Sequence, residues 1–385
     1  MPSSFAPDRR SFLRRLGIAG VASAAGAALG SILGPRFARA QPARPGSKQL
    51  ASQPSAAAPV RPSSNTDRDV VLRANDFPSL QAAVDACPPF GTVLLSARQY
   101  DLTAPLLLPL DRPLTLQGQG AWDGEPRKSP IGTLLVAIGD TDGIHVRGFG
   151  QRISNLRLSG DGKIPSRPNR SGRGIYIGRR AADAAIDPRA LRDIRIEDVV
   201  IADTRSWGLC VGGVGSYPDG TKEEDPLAES TLSYWVNFER VWCRGQYQGG
   251  GAFVGLGSTT VRFDGCKMTD QRGYFAYSAG LQTTFENCTF ETDVGARRVP
   301  WVELAADSGH ALRSCWWEMH HGDQQPFLVV SGSAAAVLDS PRFVRPGPPG
   351  APHAVARAGA RLMAQGCPEL TEWVSRGLMR GVQTR

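Results

Sequence analysis

Long apolar runs are missing from most of this 385-residue chain. Beyond residue 40 no charge-free stretch reaches the roughly 18 residues of a membrane span, so no stable span is expected there. No CxxC pair and no Cys/His cluster is present, so the seven cysteines lack metal-ligand spacing. Aromatic residues make up only 8 % of the chain. No recognisable nucleic-acid module appears, and aromatics are sparse in the one strongly basic stretch, so nucleic acid is not an expected partner. In their place stand 44 Gly and 29 Pro. Such a composition calls for many turns and excludes a coiled coil or helical bundle. The length suffices for one large core or two domains.

The net charge of +8 suggests an acidic polymer as partner until the charges are mapped. Residues 1–40 hold six Arg against one acidic residue, and 41–68 hold Arg44, Lys48, Arg61 and Arg68 against Asp67. The remainder carries 34 basic and 34 acidic residues and is neutral as a body. Its positive character is local. Lys163, Arg167, Arg170, Arg173, Arg179 and Arg180 lie in a stretch with no acidic residue. Guanidinium groups there suit carboxylates or sulfates, which they pair bidentately; a solvated loop is the alternative.

The first forty residues read as an address. Arg9 and Arg10, followed by Phe12 and Leu13, resemble the bacterial twin-arginine export motif. An Ala/Gly-rich stretch from Leu16 to Gly34 follows, then Ala38-Arg39-Ala40, an A-x-A cleavage site. The resemblance implies passage through the twin-arginine translocase after folding in the cytoplasm, and a periplasmic or secreted location. Residues 41–68, rich in Pro, Ser and Ala, read as a disordered linker. Seven cysteines leave at least one outside any disulfide, and folding before export places them in a reducing compartment.

From residue 69 a repeat dominates. The pattern apolar-x-x-apolar-x-apolar recurs as Ile153/Leu156/Leu158, Ile196/Val199/Ile201, Phe238/Val241/Cys243, Phe263/Cys266/Met268, Phe285/Cys288/Phe290, Leu312/Cys315/Trp317 and Leu338/Pro341/Phe343. The later spacings are 22–27 residues; the first two units carry inserted loops. Period-2 alternation marks a strand. The intervening pairs, such as Ser154-Asn155, Glu197-Asp198, Glu286-Asn287 and Arg313-Ser314, interrupt it as tight turns do. A third apolar stretch precedes each next unit, at 207–211, 251–256, 274–279, 301–306 and 327–330. Three short strands per unit with two bends make one coil of a parallel β-helix, each coil about 4.8 Å above the last. Cys266, Cys288 and Cys315 then form an inward column, read as small apolar core residues rather than a redox site. A solenoid must cover its ends. Leu80, Ala83, Val84 and Cys87, at helical spacing before Pro88-Pro89, supply one cap. After the Pro/Gly-rich 345–352, a short helix around Leu370, Trp373 and Val374 is the candidate for the other.

The string Phe77-Pro78-Ser79-Leu80-Gln81-Ala82-Ala83-Val84-Asp85, followed by Gly91-Thr92-Val93-Leu94-Leu95, Tyr100 and Leu114-Thr115-Leu116-Gln117-Gly118-Gln119-Gly120, resembles the opening of the pectate-lyase superfamily domain. The resemblance is specific over residues 69–120. It implies an all-β fold, a right-handed parallel β-helix solenoid with an N-terminal helical cap. The expected organisation is a signal peptide at 1–40, a linker at 41–68, the β-helix at 69–345 and a C-terminal tail or cap at 346–385. In relatives of this fold, polysaccharides lie along the sheet containing the third strand of each coil, between flanking loops. Here those loops are 159–173, 178–190 and 214–232.

Catalytic residues do not carry over. The chain has no Asn-Thr-Asp, Asp-Asp and Gly-His-Gly set of polygalacturonases and no Asp-Pro-His of alginate epimerases. It also lacks the Arg-x-Pro-x-x-Arg of the main pectate lyases; Arg167-Pro168-Asn169-Arg170 has the wrong spacing. Candidates must come from the residues themselves. Arg244, Tyr247, Asp270, Arg272, Tyr274, Tyr277, Asp293, Arg297, Arg298, Trp301 and Glu303 fall on or beside the expected groove. β-Elimination of a uronate needs a cation at the carboxylate and a base for the C5 proton. Arg297 or Arg298 is the candidate neutraliser, and Arg272 or Tyr277 the base. Glycoside hydrolysis needs two carboxylates roughly 5–9.5 Å apart, drawn from Asp270, Asp293 and Glu303. Arg244 and Trp301 join the basic run as candidate substrate contacts. A third expectation is a non-catalytic β-helix binding a cell-envelope polysaccharide, since a solenoid hosts several functions. Asp219 with Glu223, Glu224 and Asp225 offers oxygen ligands suited to Ca²⁺; a solvated acidic loop is the alternative. His320-His321 with Asp323 reads as a turn, because adjacent strand residues face opposite ways.

Overall fold

The computed structural model describes residues 70–121, 132–161, 172–179, 191–212, 233–246, 249–292, 299–305, 308–320, 325–344 and 352–384. The chain divides into two units, Met1–Ser63 and Ser64–Arg385, and every described residue belongs to the second. The twin-arginine segment, the linker and the acidic stretch Asp219–Asp225 therefore lie outside the described residues.

The unit is a right-handed parallel β-helix. Every strand pairing is parallel and joins one coil to the next. Among the described residues, one sheet has 19 strands and bends along a corner and the other has 10. The repeat read from the sequence is the ladder of the first sheet. Leu116, Ile153, Ile196, Phe238, Phe263, Phe285, Leu312 and Leu338 are successive register partners. All are buried, because each projects from the same face of its strand into the narrow interior. The rings of Phe238, Phe263 and Phe285 stack with centroids 4.7 Å apart, the rung spacing itself.

The breaks in alternation are bends with a left-handed residue at the second position. Asn155, Asp198, Arg240, Gly265, Asn287, Ser314, Ser340 and Gly366 all have φ between 49° and 74°. Asn, Asp and Gly tolerate that region best, which explains their recurrence there. The Cys column lies just beyond the bend. Cys266, Cys288 and Cys315 donate Sγ–H to the carbonyls of Phe238, Phe263 and Phe285 at 3.4–3.6 Å. No disulfide joins any of the seven cysteines. Burial raises the thiol pKa of Cys243, Cys266 and Cys288 well above the ordinary value, so they act as small core residues.

Helix α1, Leu80–Ala86, stands at the start of the solenoid. Ser79 caps it by accepting the Ala82 N–H at 3.1 Å, and Ala83 and Val84 are buried in the core. At the other end the structure corrects the expected boundary. Residues 346–385 are not merely a tail. Ala354–Ala356 extends the ten-stranded sheet beside Leu328–Val330, and Arg361–Gln365 extends the first beside Ala335–Asp339. Met379–Arg380 and Val382–Thr384 add one more rung to each. Helix α2, Leu370–Ser375, forms where the short helix was expected. It buries Leu370 and sets Trp373 edge-on against Phe343 and His353. The Pro/Gly-rich 345–352 masked this continuation in the sequence.

A buried histidine makes stability pH-dependent. His310 shares a ladder position with Thr283 and Ala336. Ser308 Oγ donates to the Ala305 carbonyl, so His310 Nε2–H donates to Ser308 Oγ, at 2.7 Å. Its Nδ1 is buried with no hydrogen-bond partner, and burial lowers the imidazole pKa to about 4. The unfolded chain takes up this proton near pH 6.5 and the folded one only near pH 4. The native state therefore loses stability as pH falls through that window, by roughly 2.5 kcal/mol at pH 4.5. Denaturant titrations at pH 7 and pH 4.5 should show wild type losing that much more than His310→Thr. Equal losses would contradict the assignment.

Candidate functional site

The ten-stranded sheet is the one expected to carry the site. Its strands include Ile144–Val146, Ile175–Ile177, Trp207–Val211, Gly250–Val254, Tyr274–Ser278, Val302–Leu304, Leu328–Val330 and Ala354–Ala356. Alternation sends Leu209, Ala252, Ala276, Val302 and Leu328 inward. Their neighbours face outward as a second ladder. In order it reads His145, Tyr176, Cys210, Phe253, Tyr277, Glu303, Val329 and Val355, each in register with the next.

This outer face is not open along its length. From His145 to Phe253 the ladder is fully buried, and Tyr176, Cys210 and Phe253 form an apolar cluster with Trp207 and Tyr274. Exposure returns at Tyr277, Val355 and Arg357. The accessible part of the face is therefore short, and Glu303 lies at its centre.

Glu303 is only 8 % exposed yet carries a carboxylate. Burying such a group requires partners, and three donors supply them. Tyr274 Oη–H donates to Oε2 at 3.2 Å. Ser331 Oγ–H donates to Oε1 at 2.8 Å, and Arg357 Nη1 lies 3.4 Å from the same oxygen. Tyr277 is the register partner of Glu303 on the preceding coil. Its ring is sandwiched against Phe253, with centroids 5.8 Å apart, and edge-on to Tyr274. Burial, and then the Glu303 charge, push the Tyr277 phenol up to about 12. The same two causes raise Tyr274 further. Both phenols stay protonated at neutral pH and are available as proton donors. That protonation state runs against the base role expected of Tyr277.

The other candidates sort by position. Asp270 ends strand Lys267–Thr269 at a left-handed bend (φ 54°), and Arg244 Nε lies 3.8 Å from it. Arg272 follows at the same corner, exposed, two residues before Tyr274. Trp301 is a correction. It is fully buried, with its ring centroid 4.7 Å from Phe275 and 4.6 Å from Phe327. The pairing of Ala276 with Val302 places Trp301 level with inward Phe275, one residue out of phase with a groove position. Arg173 and Arg179 are corrections too. Arg173 is buried in a bidentate pair with Asp142, at 3.1 and 2.7 Å, with its guanidinium 3.7 Å above the Tyr176 ring. Arg179 is buried and donates to the Arg147 carbonyl at 3.1 Å. Neither is a solvent-facing clamp. Lys163, Arg167, Arg170, Arg180, Tyr247, Asp293, Arg297 and Arg298 lie outside the described residues.

Sequence reasoning missed Ser331 and Arg357. Ser331 follows the last apolar residue of its strand. Arg357 sits one coil further on, where its N–H reaches the Val330 carbonyl at 2.9 Å. The signal was the short apolar run Ala354-Val355-Ala356, hidden behind the Pro/Gly-rich 345–352.

No protein-family model matches the chain, and no curated protein matches it in sequence. Among solved structures it is similar to an alginate lyase from Paenibacillus sp. strain FPU-7. The identity there is 11 %, the TM-score 0.48, and the match covers 76 % of this chain and 99 % of that one. It is also similar to the A-module of a mannuronan C-5 epimerase from Azotobacter vinelandii, at 12 % identity, TM-score 0.35, and 81 % and 97 % coverage. A third is a capsular polysaccharide depolymerase, the tailspike of an Acinetobacter baumannii bacteriophage, at 11 % identity, TM-score 0.33, and 72 % and 52 % coverage. The likeness concerns the course of the backbone, and no residue role is taken from it.

Proposed function

We propose that this protein is an exported polysaccharide-active enzyme, a lyase that cleaves a uronate-containing polymer by β-elimination at Glu303. The observation that carries the reading is the cluster of a nearly buried carboxylate, two neutral phenols and a half-exposed guanidinium on the outer face of the ten-stranded sheet. Each group has a role. Arg357, 56 % exposed at its side chain, faces solvent on one side and Glu303 on the other. It pairs with the uronate carboxylate and stabilises the enolate-like charge that grows there. Glu303 takes the C5 proton. The C5–H electrons form the C4–C5 double bond, the C4–O4 bond breaks, and Tyr277 protonates the departing oxygen. Rungs about 4.8 Å apart give the face a repeat suited to an extended sugar chain.

Export through the twin-arginine translocase to the periplasm or beyond belongs to the same proposal. It rests on Arg9, Arg10 and the Ala38-Arg39-Ala40 site.

The test is incubation with a panel of acidic and neutral polysaccharides, following the ultraviolet absorbance of unsaturated uronate ends alongside reducing ends. Both signals should rise together on a uronate polymer and on none of the neutral ones. Reducing ends without the absorbance would assign hydrolysis instead. Binding without products would leave a non-catalytic polysaccharide-binding protein.

A further inference from the structure

The outer face of the 19-stranded sheet carries a second chemical cluster, remote in register from Glu303 and unused by the elimination. Glu291, in strand Thr289–Thr292, and Glu318, in strand Trp316–Met319, are register partners on neighbouring coils. Both face outward, because Phe290, Trp317 and Met319 beside them are buried. Like charges placed directly opposite repel. His320 follows Met319 and turns to the same face, its Nε2 3.3 Å from Glu291 Oε1. One donor atom from each of the three residues lies within 4.8 Å of the other two. Both carboxylates are also held from outside the cluster. Lys267 Nζ lies 2.9 Å from Glu291 Oε2, which leaves Oε1 turned toward the imidazole. Trp316 Nε1–H donates to Glu318 Oε2 at 3.0 Å.

We propose that Glu291, Glu318 and His320 form a binding site for a zinc-type divalent transition-metal ion that ties two successive coils together. A tetrahedral ion with bonds of about 2.1 Å sets its donors about 3.4 Å apart. Glu291 and His320 already stand at that separation, and a side-chain rotation of Glu318 closes the third distance. The imidazole selects zinc-type ions over calcium or magnesium, which prefer all-oxygen sets. Water fills the fourth position. The sequence reads His320 with His321 and Asp323 as a turn; the partners of His320 come from the stacked coil, and those two neighbours lie outside the described residues. Lys267 sits beside the ion, and its charge weakens binding.

The test uses the full chain, stripped with a chelator and titrated with Zn²⁺ by calorimetry, with thermal unfolding read in parallel. One equivalent should bind and raise Tm, as any ligand specific to the folded state does, whereas Mg²⁺ and Ca²⁺ should not. His320→Ala and Glu291→Gln should each lower affinity about tenfold or more. Lys267→Met should raise it, an outcome that misfolding cannot imitate. Absence of stoichiometric binding would overturn the proposal. So would affinity that is unchanged in all three variants, which would mean an adventitious ion only.

Discussion

Glu303→Gln should lower the rate of polymer cleavage by about 10²–10⁴-fold, the usual contribution of a positioned general base, with KM and Tm nearly unchanged. The amide oxygen of Gln still accepts from Tyr274 or from Ser331, and its N–H can donate to the hydroxyl oxygen of the other, so most of the local hydrogen bonding is replaced. What disappears is the group able to take a proton. Arg357 loses a partner, but its side chain is half-exposed and water replaces the lost contact. Steady-state rates on the polymer identified by the panel, beside a thermal melt, check this. A rate equal to that of wild type would remove Glu303 from the chemistry. A lost rate with a collapsed Tm would point to a purely structural carboxylate.

Phe263→Ala should destabilise the solenoid by about 3–5 kcal/mol, the range for emptying a fully packed aromatic site. Phe263 has no exposed surface and lies between Phe238 and Phe285, each with its centroid 4.7 Å away. Removing the ring opens a cavity bounded by two coils, and neither coil can collapse into it without breaking its own strand register. In a stacked repeat the energy resides largely at such nearest-neighbour interfaces. Leucine, which fills the same column at Leu312 and Leu338, should recover most of the loss. Urea titration of the three proteins measures both effects. A loss below about 1 kcal/mol for Phe263→Ala would mean that the ring column does not hold the coils together.

Much of the fold was legible because the solenoid writes one physical rule many times. Inward positions recur at fixed offsets from a bend, so Phe263, Cys266 and Met268 predict Phe285, Cys288 and Phe290. The bend announces itself through Asn, Asp and Gly at a left-handed position. The short opening string from Phe77 to Gly120 added the helix cap. What stayed hidden lies where that rule is interrupted. The Pro/Gly stretch at 345–352 concealed further coils and Arg357 with them. Trp301 was misplaced by one residue, because a corner offers no alternation from which to count phase. The buried fate of Arg173 was invisible for another reason. Its partner Asp142 is 31 residues earlier, and an inserted loop breaks the regular spacing between them. Glu303 and Tyr277 could be placed on the outer face of the expected sheet because both fall within its intact strands. Ser331 and Arg357, the partners of Glu303, come from later coils, and a sequence does not show which side chains converge across stacked strands.

The most direct measurement is a structure of Glu303→Gln with a bound uronate oligosaccharide, which this slow variant should retain. The sugar chain should lie on the outer face of the ten-stranded sheet, crossing Tyr277 and residue 303. One carboxylate should pair with Arg357, and its C5–H should point at the residue 303 side chain within hydrogen-bond reach. An oligosaccharide seated elsewhere, or one whose C5 faces away from residue 303, would contradict elimination at Glu303.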